Sequence, residues 1–395
     1  MIPRGKLDIT YKRLFEGLFY CLFGWIKPVD VRNTLEEKDK ILCLSVRTGF
    51  HLVLSALNLS VGSEIIVTDI NIPDMFNIIS AHKLKAVPVP VNKYTLNTAA
   101  RQIEAAITPA TKAILITHLF GGIMDTDEIL SIATRQNLIM IEDCAQAFAG
   151  NQYKGNPLSD VIMYSFGLIK TNTAISGALL RINNPVIFAK VNQLNNELPE
   201  QSTNTFFKKL SKSLFIKLLT TKLVYSLFYS YSKQKRKDFD ELLSGFTRGF
   251  PGPDLLKKIS FRPSSANLQL LRKRISSFSC ECLNKRIEYA KDILNNIPEP
   301  MKIGYLNKCN SYWILPVEAR RPNELVNYLR SKGFDATQKA SSLVKIEGLV
   351  NQNPDELLLE NLVYLPSYIA MTKKDRVKLG RLVACFTSAP KENNM

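Results

Sequence analysis

The chain has 395 residues and a formal net charge of +17, with 46% hydrophobic and 22% charged residues. This length and composition fit a globular protein with one large domain and one smaller domain, and exclude a disordered or fibrous chain. The seven cysteines show no paired framework, since the closest pair, Cys280 and Cys282, suits neither a zinc site nor a redox motif. Reduced thiols in a cytoplasmic protein are therefore expected, and three widely separated histidines predict no metal site.

Residues 1–36 are predicted to form an N-terminal arm. Six apolar side chains recur there at helical spacing before Pro28 ends the run: Leu14, Phe15, Leu18, Phe19, Leu22 and Phe23. The apolar stretch is shorter than the roughly 20 residues that cross a bilayer, and it contains Glu16. A later apolar stretch, Leu214–Tyr229, is interrupted by two lysines, so no membrane-spanning helix is predicted.

Residues 37–194 are predicted to form the large domain, because helical and strand patterns alternate there. The predicted elements are the helix Val46–Leu57, the strands Glu64–Thr68 and Ala86–Val91, the helix Ala99–Ile107, the strand Ala113–His118, the helix Asp125–Arg135, and the strands Leu138–Glu142, Val161–Phe166 and Ser176–Ile182. Such alternation favours an α/β fold with a mostly parallel central sheet covered by helices.

Residues 195–254 do not follow that alternation and are predicted to be a basic, aromatic helical insertion. Nine Lys or Arg and no acid lie between Phe206 and Lys237. One helical face is predicted to carry Phe207, Leu210, Leu214, Leu218, Tyr225 and Phe228, with Lys208, Lys209, Lys212 and Lys217 mostly elsewhere. The pattern fits a helix on an anionic membrane, a helix packed on the core with a solvated basic face, or a nucleic-acid patch. Since no nucleic-acid-binding signature accompanies it, no nucleic-acid partner is expected.

Residues 255–395 are predicted to form a smaller C-terminal α+β domain, joined to the insertion by the turn-rich segment Arg248–Pro253. Its predicted elements are a long helix over Ser265–Leu294, a strand over Asn310–Val317, and helices over Pro322–Lys332 and Lys373–Cys385. The smaller domain is thus expected to contain both helices and strands.

Two reactive groups, Asp143 and Lys170, each follow a strand-like run. A lysine can bond covalently to the aldehyde of pyridoxal phosphate, and a carboxylate can keep the pyridine nitrogen protonated so that the ring accepts electrons. Their order and their positions after strands predict pyridoxal phosphate chemistry.

The chain resembles the DegT/DnrJ/EryC1/StrS sugar aminotransferases of the fold-type I superfamily, from near Ile41 to about Phe386. Gly62–Val67 is similar to the family's GDEVIV strand, Ala105–Ile114 to its AITPxTKAI segment, and His118–Gly121 to its HLYG motif. The resemblance implies a three-layer αβα pyridoxal-phosphate transferase fold, a homodimer, and pyridoxal 5'-phosphate as cofactor. It also implies amino transfer, with glutamate as donor, to a keto group of a nucleotide-linked sugar in surface polysaccharide or glycoconjugate synthesis.

By the same resemblance, four residues near the ends of these strands contact the cofactor. Lys170 bonds to the cofactor and moves the proton, and keeping a lysine there favours transamination over dehydration. Asp143 pairs with the pyridine nitrogen, Gln146 contacts the 3-hydroxyl, and Ser165 contacts the phosphate. Phe148 stands where relatives often have His.

The start of the helix at Val46 is predicted to bind the cofactor phosphate, because free N–H groups and small residues make helix N-termini suitable for anions. Arg47 falls on the family's usual Thr and Thr48 on the small residue that follows, so either side chain is a candidate phosphate ligand, with Gly49 beside them. An exposed surface charge is the alternative for Arg47.

Three more positions depart from or retain the family pattern. Ile72 stands where relatives place an aromatic residue over the pyridine ring. Ser260 replaces the Asn that relatives contribute from the neighbouring subunit, whereas Arg262 is kept.

Alternatives to the sugar aminotransferase are a family member acting on another keto substrate, and a non-catalytic cofactor-binding or membrane-associated relative that serves as a partner or regulator. We expect a cytoplasmic protein, with peripheral association at the inner face of the membrane as the second expectation.

Overall fold

The computed structural model describes residues 1–23, 39–235, 240, 254–338, 342–348 and 355–388. Its strands are β1 (Lys40–Cys43), β2 (Glu64–Thr68), β3 (Ile70–Asn71), β4 (Lys85–Val89), β5 (Thr111–Thr117), β6 (Ile139–Asp143), β7 (Val161–Ser165), β8 (Ala178–Ile182), β9 (Leu315–Glu318), β10 (Val344–Lys345) and β11 (Leu362–Leu365). A seven-stranded sheet has the spatial order β1-β8-β7-β6-β5-β2-β4, and two small pairs join β3 to β10 and β9 to β11.

The helices of the described residues are α1 (Tyr11–Phe23), α2 (Val46–Leu57), α3 (Pro73–Ala81), α4 (Ala100–Ala105), α5 (Asp127–Arg135), α6 (Pro185–Glu197), α7 (Thr203–Leu219), α8 (Lys222–Gln234), α9 (Leu255–Ile259), α10 (Ser265–Ser276), α11 (Cys280–Leu294), α12 (Pro322–Ser331) and α13 (Lys373–Ser388). Short 3₁₀ turns cover Gly150–Gln152, Glu299–Met301 and Leu359–Asn361. The predicted helices of the large domain are confirmed within two residues at each end, and α3 and α6 were not predicted.

The central sheet is mostly parallel, as predicted. Strands β4, β2, β5, β6 and β7 run parallel, whereas β8 is antiparallel to both β7 and β1. Ile65 and Val67 pack in one apolar cluster with α2, α3 and α6, and Ile66 packs in another with α4 and α5. Because successive side chains of a strand point to opposite faces, the apolar run of β2 is covered on both sides, which gives the three-layer αβα arrangement.

A third cluster covers the sheet at β7 with α1, α7 and α10. It contains Leu14 of α1, Leu210 of α7 and Leu270 of α10 together with Ile162 of β7. Gly17 permits this close packing, since an added Cβ would lie 2.9 Å from a Leu210 methyl group. The N-terminal helix and the first helix of the insertion therefore belong to one packed layer.

The predicted single helix over Ser265–Leu294 is wrong, because the chain forms two helices there. Helix α10 ends at Ser276, and the Ser279 side chain caps α11 by accepting from the Glu281 N–H at 3.3 Å. Between them Phe278 packs against Phe148 with ring centroids 4.9 Å apart. The apolar and helix-forming residues favoured continuity, but serine capping and this tertiary contact interrupt the helix.

The predicted strand over Asn310–Val317 is also too long, since β9 begins at Leu315. Tyr312 has a positive φ of 48°, and its N–H donates to the Asn310 side chain at 2.8 Å. An Asx-type turn therefore occupies the start of the predicted strand, because an Asn side chain can satisfy the backbone in place of a strand partner.

The apolar face predicted across the insertion is wrong in detail. A turn at Thr220–Thr221 separates α7 from α8, and Leu210 and Tyr225 are buried within the protein. Lys209 is also packed, reaching Gln201 at 3.3 Å, and burial lowers its pKa to about 8. The packed-helix interpretation therefore holds for these residues, whereas other apolar side chains of the same helices are exposed.

The N-terminal segment joins the C-terminal part of the structure. The Ile2 N–H donates to Gly333 at 2.8 Å, and the Ile2 carbonyl accepts from Asp335 at 3.0 Å. Arg4 pairs with Asp335 at 2.7 Å, and this carboxylate is fully buried. Ile2 thereby packs in a fourth apolar cluster with side chains of α11, α12 and α13, whereas Leu7 and Ile9 pack in the cluster of α1, α7 and α10.

Two sequence expectations concern the chain as a whole. All seven cysteines lie in the described residues and form no disulfide there. Among the described residues, no helix has both the length and the apolarity needed to cross a bilayer. The segment Arg248–Pro253 and residues 24–36 of the arm lie outside the described residues, and the domain boundaries stay predictions.

Candidate active site

Register places several predicted site residues at one edge of the sheet. Thr117 of β5 pairs with Asp143 of β6, and both Cys43 of β1 and Ser165 of β7 pair with Ala178 of β8. These four strands are mutually parallel, so their carboxyl ends lie together. Ligands of open α/β sheets bind beyond that edge. The start of α2 follows β1 there, and Lys170 follows β7.

Asp143 is buried, with 3% of its surface exposed. Its carboxylate accepts hydrogen bonds from the Ala145 N–H at 3.0 Å and from the Asn71 side chain at 3.3 Å. Asn71 also donates to Thr117 at 2.8 Å, which fixes the amide. Both bonds to Asp143 come from neutral donors, so the carboxylate has the chemistry to receive a cationic ring N–H from a ligand.

Lys170 is half-buried in the loop after β7. Its pKa is lowered to about 8, chiefly by burial and to a smaller extent by the charge of Arg47, against the opposing charge of Asp143. The three charges are therefore close enough to influence one another. The Lys170 Nζ atom lies 4.1 Å from the centre of the Trp313 ring, and the indole N–H donates to the Ile169 carbonyl at 3.0 Å. A lysine with this pKa supplies a substantial neutral fraction near pH 8, as a nucleophilic amine requires.

The start of α2 is a well-ordered cap. The Ser45 side chain accepts from the Thr48 N–H at 3.1 Å, and the Thr48 hydroxyl donates to the Ile259 carbonyl at 2.9 Å. Arg47 forms an ion pair with Asp74. Both side chains are thus engaged within the protein, Thr48 with the Ile259 carbonyl and Arg47 with Asp74, so the choice between them as phosphate ligand stays a prediction.

Gly49 and Ser165 complete this part of the edge. An added Cβ on Gly49 would lie 2.5 Å from a Leu180 methyl group, so the helix lies close against β8. The Ser165 hydroxyl is half-buried and accepts from the Gly167 N–H at 3.4 Å. That contact leaves the hydroxyl proton of Ser165 available to a phosphate oxygen.

Gln146 and Phe148 follow Asp143. The Gln146 carbonyl oxygen accepts from the Phe120 N–H at 2.9 Å, which orients the side-chain amide and leaves its NH₂ group as the remaining donor. Phe148 packs edge-on against Phe166 at 4.9 Å, within an aromatic cluster. An apolar residue at this position thus has a packing role.

Ile72 and the segment around Ser260 lie near the same edge. Ile72 is half-buried, directly after Asn71, and begins the turn into α3. The Ser260 hydroxyl donates to the Leu256 carbonyl at 2.6 Å, and Arg262 lies 4.0 Å from Glu200. Because Ile259 accepts from Thr48, this segment lies near the start of α2 in the same chain. Contacts of Ser260 or Arg262 with a neighbouring subunit stay a prediction.

A buried polar network supports the strand end that carries Asp143. His118 contacts Glu142 at 2.9 Å, and Ser159 donates to the same carboxylate at 2.6 Å. Burial opposes ionisation of Glu142, but the hydrogen bonds, chiefly from His118, outweigh it and hold its pKa below the ordinary value. His118, Glu142 and Cys144 place ligand-type atoms within 4.8 Å of one another, yet the Glu142 oxygens are already hydrogen-bonded.

Three residues of the site were not assigned from the sequence: Asn71, Arg286 and Trp313. Asn71 directly precedes Ile72, the residue predicted to cover the pyridine ring. Arg286 donates to the Thr171 hydroxyl at 2.9 Å from a helix that is distant in sequence. A single sequence carries no signal for such contacts, because the partners are brought together only by folding.

The fold defines an α/β protein with a mostly parallel central sheet, and the candidate site lies at the carboxyl edge of that sheet. Residues 30–213 match the model of the DegT/DnrJ/EryC1/StrS aminotransferase family. The chain is 38% identical over 168 residues to a GDP-perosamine synthase from Caulobacter vibrioides, covering 40% of this chain and 44% of that protein. The matched region thus spans less than half the length of the curated relatives.

Solved structures share the fold over nearly the whole chain. An aminotransferase, TlmJ, from Streptoalloteichus hindustanus has a TM-score of 0.67 and 16% identity, covering 98% of this chain and 99% of that chain. NtdA from Bacillus subtilis, solved with bound cofactor PMP, has a TM-score of 0.64 and 19% identity, covering 95% of this chain and 83% of that chain. The predicted fold class is confirmed.

Proposed function

We propose that the protein is a pyridoxal 5'-phosphate-dependent aminotransferase that acts on a keto group of a nucleotide-linked sugar, with glutamate as amino donor. The observation that carries this proposal is the position of Lys170, in the loop that follows β7 at the sheet edge where Asp143 ends β6, with its Nζ atom 4.1 Å from the centre of the Trp313 ring. Burial lowers the pKa of this lysine to about 8, which suits a nucleophilic amine. The family match and the sugar-related name of the Caulobacter relative support the substrate class. Surface polysaccharide or glycoconjugate synthesis is the proposed setting.

Pyridoxal phosphate, when bound, supplies an aldehyde that bonds to amines and a ring that accepts an electron pair. The residues of this chain suit three groups of the cofactor: its aldehyde, its ring nitrogen and its phosphate. The neutral fraction of Lys170 provides the amine, and once released the same Nζ atom removes and returns the proton at the substrate carbon. Trp313 holds this amine from one side by the contact at 4.1 Å.

Asp143 would hold a proton on the cofactor's ring nitrogen. A buried carboxylate beside a cationic N–H is stabilised in its charged form, and the pairing makes its burial tolerable. Asn71 fixes the orientation of this carboxylate through the bond at 3.3 Å and is itself fixed by Thr117. Gln146 would donate to the 3-hydroxyl group, and Ile72 would cover the ring by apolar contact.

Arg47, Gly49 and Ser165 would form the phosphate site, with Thr48 supporting it from within the helix start. A helix N-terminus attracts anions through its free N–H groups, and a guanidinium adds a charge-assisted bond. We further infer a homodimer in which Ser260 or Arg262 serves the neighbouring site. The exposure of Arg262, about one third of the side chain, supports a partner contact at this place.

Spectroscopy and a substrate panel test this proposal together. The purified protein should show a visible absorbance band from covalently bound cofactor, and borohydride should fix the cofactor to Lys170. With glutamate and a panel of nucleotide-linked keto sugars, one product should gain an amino group by mass measurement. Lys170→Ala should lose both the band and turnover, whereas Lys154→Ala, at an exposed lysine, should keep both. A normal band without amination of any keto sugar would favour another keto substrate or a non-catalytic relative.

A second proposal, peripheral association with an anionic membrane, rests on the exposed sides of α1, α7 and α8. Ten large apolar side chains are at least two-fifths exposed there, and we call this set the apolar-basic face: Tyr11, Phe15, Phe19, Leu22, Phe23, Phe215, Leu218, Leu223, Leu227 and Tyr231. The three helices carry eight Lys or Arg and one acid, Glu16, which is paired with Arg13. Exposed aromatic residues among lysines are typical of helices on anionic lipid.

A second copy of the chain fits this face less well. A two-fold interface would place the same cationic helices against each other, and like charges repel. Anionic lipid instead complements them, and each lysine near such a surface contributes on the order of 1 kcal/mol. Lipid is therefore the occupant that we propose for the apolar-basic face.

Co-sedimentation with liposomes tests the membrane proposal. The protein should bind anionic liposomes and ignore neutral ones, and salt should weaken binding because screening acts over about 8–10 Å. Replacing four exposed lysines with Gln should weaken binding about a thousandfold: Lys12, Lys208, Lys212 and Lys222. A matched control replaces four exposed lysines elsewhere: Lys112, Lys154, Lys291 and Lys332. Equal binding by the two variants, or none by the wild type at low salt, would contradict the proposal, and concentration-dependent self-association would point to a second copy.

A further inference from the structure

A cavity of about 430 Å³ opens beside Lys170. Its walls are the N-terminal segment Arg4–Asp8, the loop Ile169–Thr171, the turn between α7 and α8, the start of α11, and residues 364–370 near the C-terminal strand. The volume is in the range of small-molecule sites. Apart from Lys170, its lining includes none of the residues proposed to hold the cofactor, so it lies on another side of the reactive amine.

Arg286 on α11 lines this cavity and is nine-tenths buried. Its Nε donates to the Ser311 carbonyl at 2.9 Å, and its Nη1 donates to the Thr171 hydroxyl at 2.9 Å. The Nη2 group is buried and has no hydrogen-bond partner within the part of the chain that the structure describes. Two bonds thus fix the guanidinium plane, and the third nitrogen is left for a ligand. A buried, unpaired cationic N–H is costly, so a site that fills on binding accounts for it.

The charge of the cavity favours an anion. Its charged lining residues are five cations and one acid: Arg4, Lys6, Lys170, Lys217, Arg286 and Asp8. Arg4 is already paired with Asp335, and the Asp8 carboxylate accepts from the Asn172 N–H at 2.7 Å. Burial lowers the pKa of Arg286 to about 10 despite the opposing charge of Asp8, so the group stays protonated at neutral pH.

We propose that Arg286 binds an anionic oxygen group, carboxylate or phosphate, of a reactant that enters this cavity to reach Lys170. The inference rests on the proposed aminotransferase function, since it assigns a recognition residue to that site. Arg286 holds Thr171, the residue after Lys170, so an anion bound to its free nitrogen is fixed close to the reacting amine. The Trp313 ring, which also contacts Lys170, forms an apolar wall for the rest of the ligand. The two natural sources of such a group are the carboxylates of the amino donor and the diphosphate of a nucleotide-linked sugar.

Trp313 provides a binding readout that needs no turnover. The chain has two tryptophans, Trp25 and Trp313, so a Trp25→Phe background leaves the cavity indole as the sole reporter. Its fluorescence is titrated with 2-oxoglutarate as the carboxylate probe and with uridine diphosphate as the phosphate probe. Arg286→Met should raise the Kd of one probe by about 10- to 100-fold, as expected for a lost hydrogen bond between charged groups. The probe that responds identifies the source of the anion.

The control is Lys285→Met, which removes one exposed charge from the neighbouring position of α11 and should leave both Kd values unchanged. Unchanged binding of both probes in Arg286→Met would overturn the inference. If that variant does not fold, the wild type decides, because it should bind 2-oxoglutarate or uridine diphosphate at least tenfold more tightly than the corresponding uncharged ester or nucleoside. Equal affinities would overturn it. Failure of the proposed function is separate: it would appear as a missing cofactor band in a protein whose probe binding still depends on Arg286.

Discussion

Replacing Lys170 with Met should stabilise the cofactor-free protein, although it destroys the proposed catalytic group. Burial lowers the pKa of Lys170 from 10.5 to about 8, so the folded state holds this proton less tightly than the unfolded state. At about 1.36 kcal/mol per pH unit, the difference corresponds to roughly 3 kcal/mol of destabilisation below pH 8. The side chain keeps some contact with water and with Trp313, so we expect a gain of about 2 kcal/mol at pH 7.

The way this stability difference changes with pH follows from the same lysine proton. Between pH 8 and 10.5 the unfolded chain binds more protons at Lys170, so the stability of the wild type rises with pH across this window. The advantage of Lys170→Met should therefore be full at pH 7 and vanish near pH 10.5. Urea unfolding of cofactor-free wild type and variant at both pH values measures it. Lys154→Met, at an exposed lysine, should change stability by less than about 0.5 kcal/mol. Equal stability of wild type and Lys170→Met at pH 7 would refute the argument from burial.

Three further predictions concern the site and its support. Asp143→Asn should keep some cofactor by absorbance but lose turnover by orders of magnitude, because a neutral amide cannot hold the ring nitrogen protonated; near-normal rates would show that another residue fills the role. Equal mixing of Lys170→Ala with Arg262→Ala, each inactive alone, should restore about a quarter of wild-type activity after subunit exchange if Arg262 serves the neighbouring site. A mixture that stays inactive would place Arg262 in its own subunit's site, and an active Arg262→Ala would place it outside both. Tyr225→Phe should lower the free energy of unfolding in urea by about 1–3 kcal/mol, because the Tyr225 hydroxyl donates to the fully buried carboxylate of Asp335. A change below about 0.5 kcal/mol would show that this bond contributes little.

Local patterns determined the large-domain elements. The run Glu64–Thr68 reads as a buried strand from its β-branched apolar residues, and β2 has those bounds. Val46–Leu57 reads as a helix and α2 agrees, because Ser45 caps it and its buried residues recur at helical spacing. Asp143 and Lys170 were predicted for a related reason, since Asp143 ends β6, Lys170 lies in the loop after β7, and parallel strands bring their carboxyl ends together.

Errors arose where tertiary contacts override local preference. The residues around Ser277–Ser279 permit a continuous helix, but Phe278 packs on Phe148 and the helix breaks. In the insertion, helical periodicity alone does not say which face meets the protein. Leu210 is buried there, because α1 and α10 cover it, whereas Phe215 of the same helix is exposed.

The tertiary structure alone decided which distant residues surround the reactive amine. Trp313 contacts Lys170 and Arg286 contacts Thr171 across more than a hundred residues of chain, and Asn71 reaches Asp143 across 72. The sequence specifies strands, helices and strand ends through interactions between near neighbours. Contacts between remote segments form only when the whole core is buried, so their chemistry, including the unpaired nitrogen of Arg286, is visible only in the folded chain.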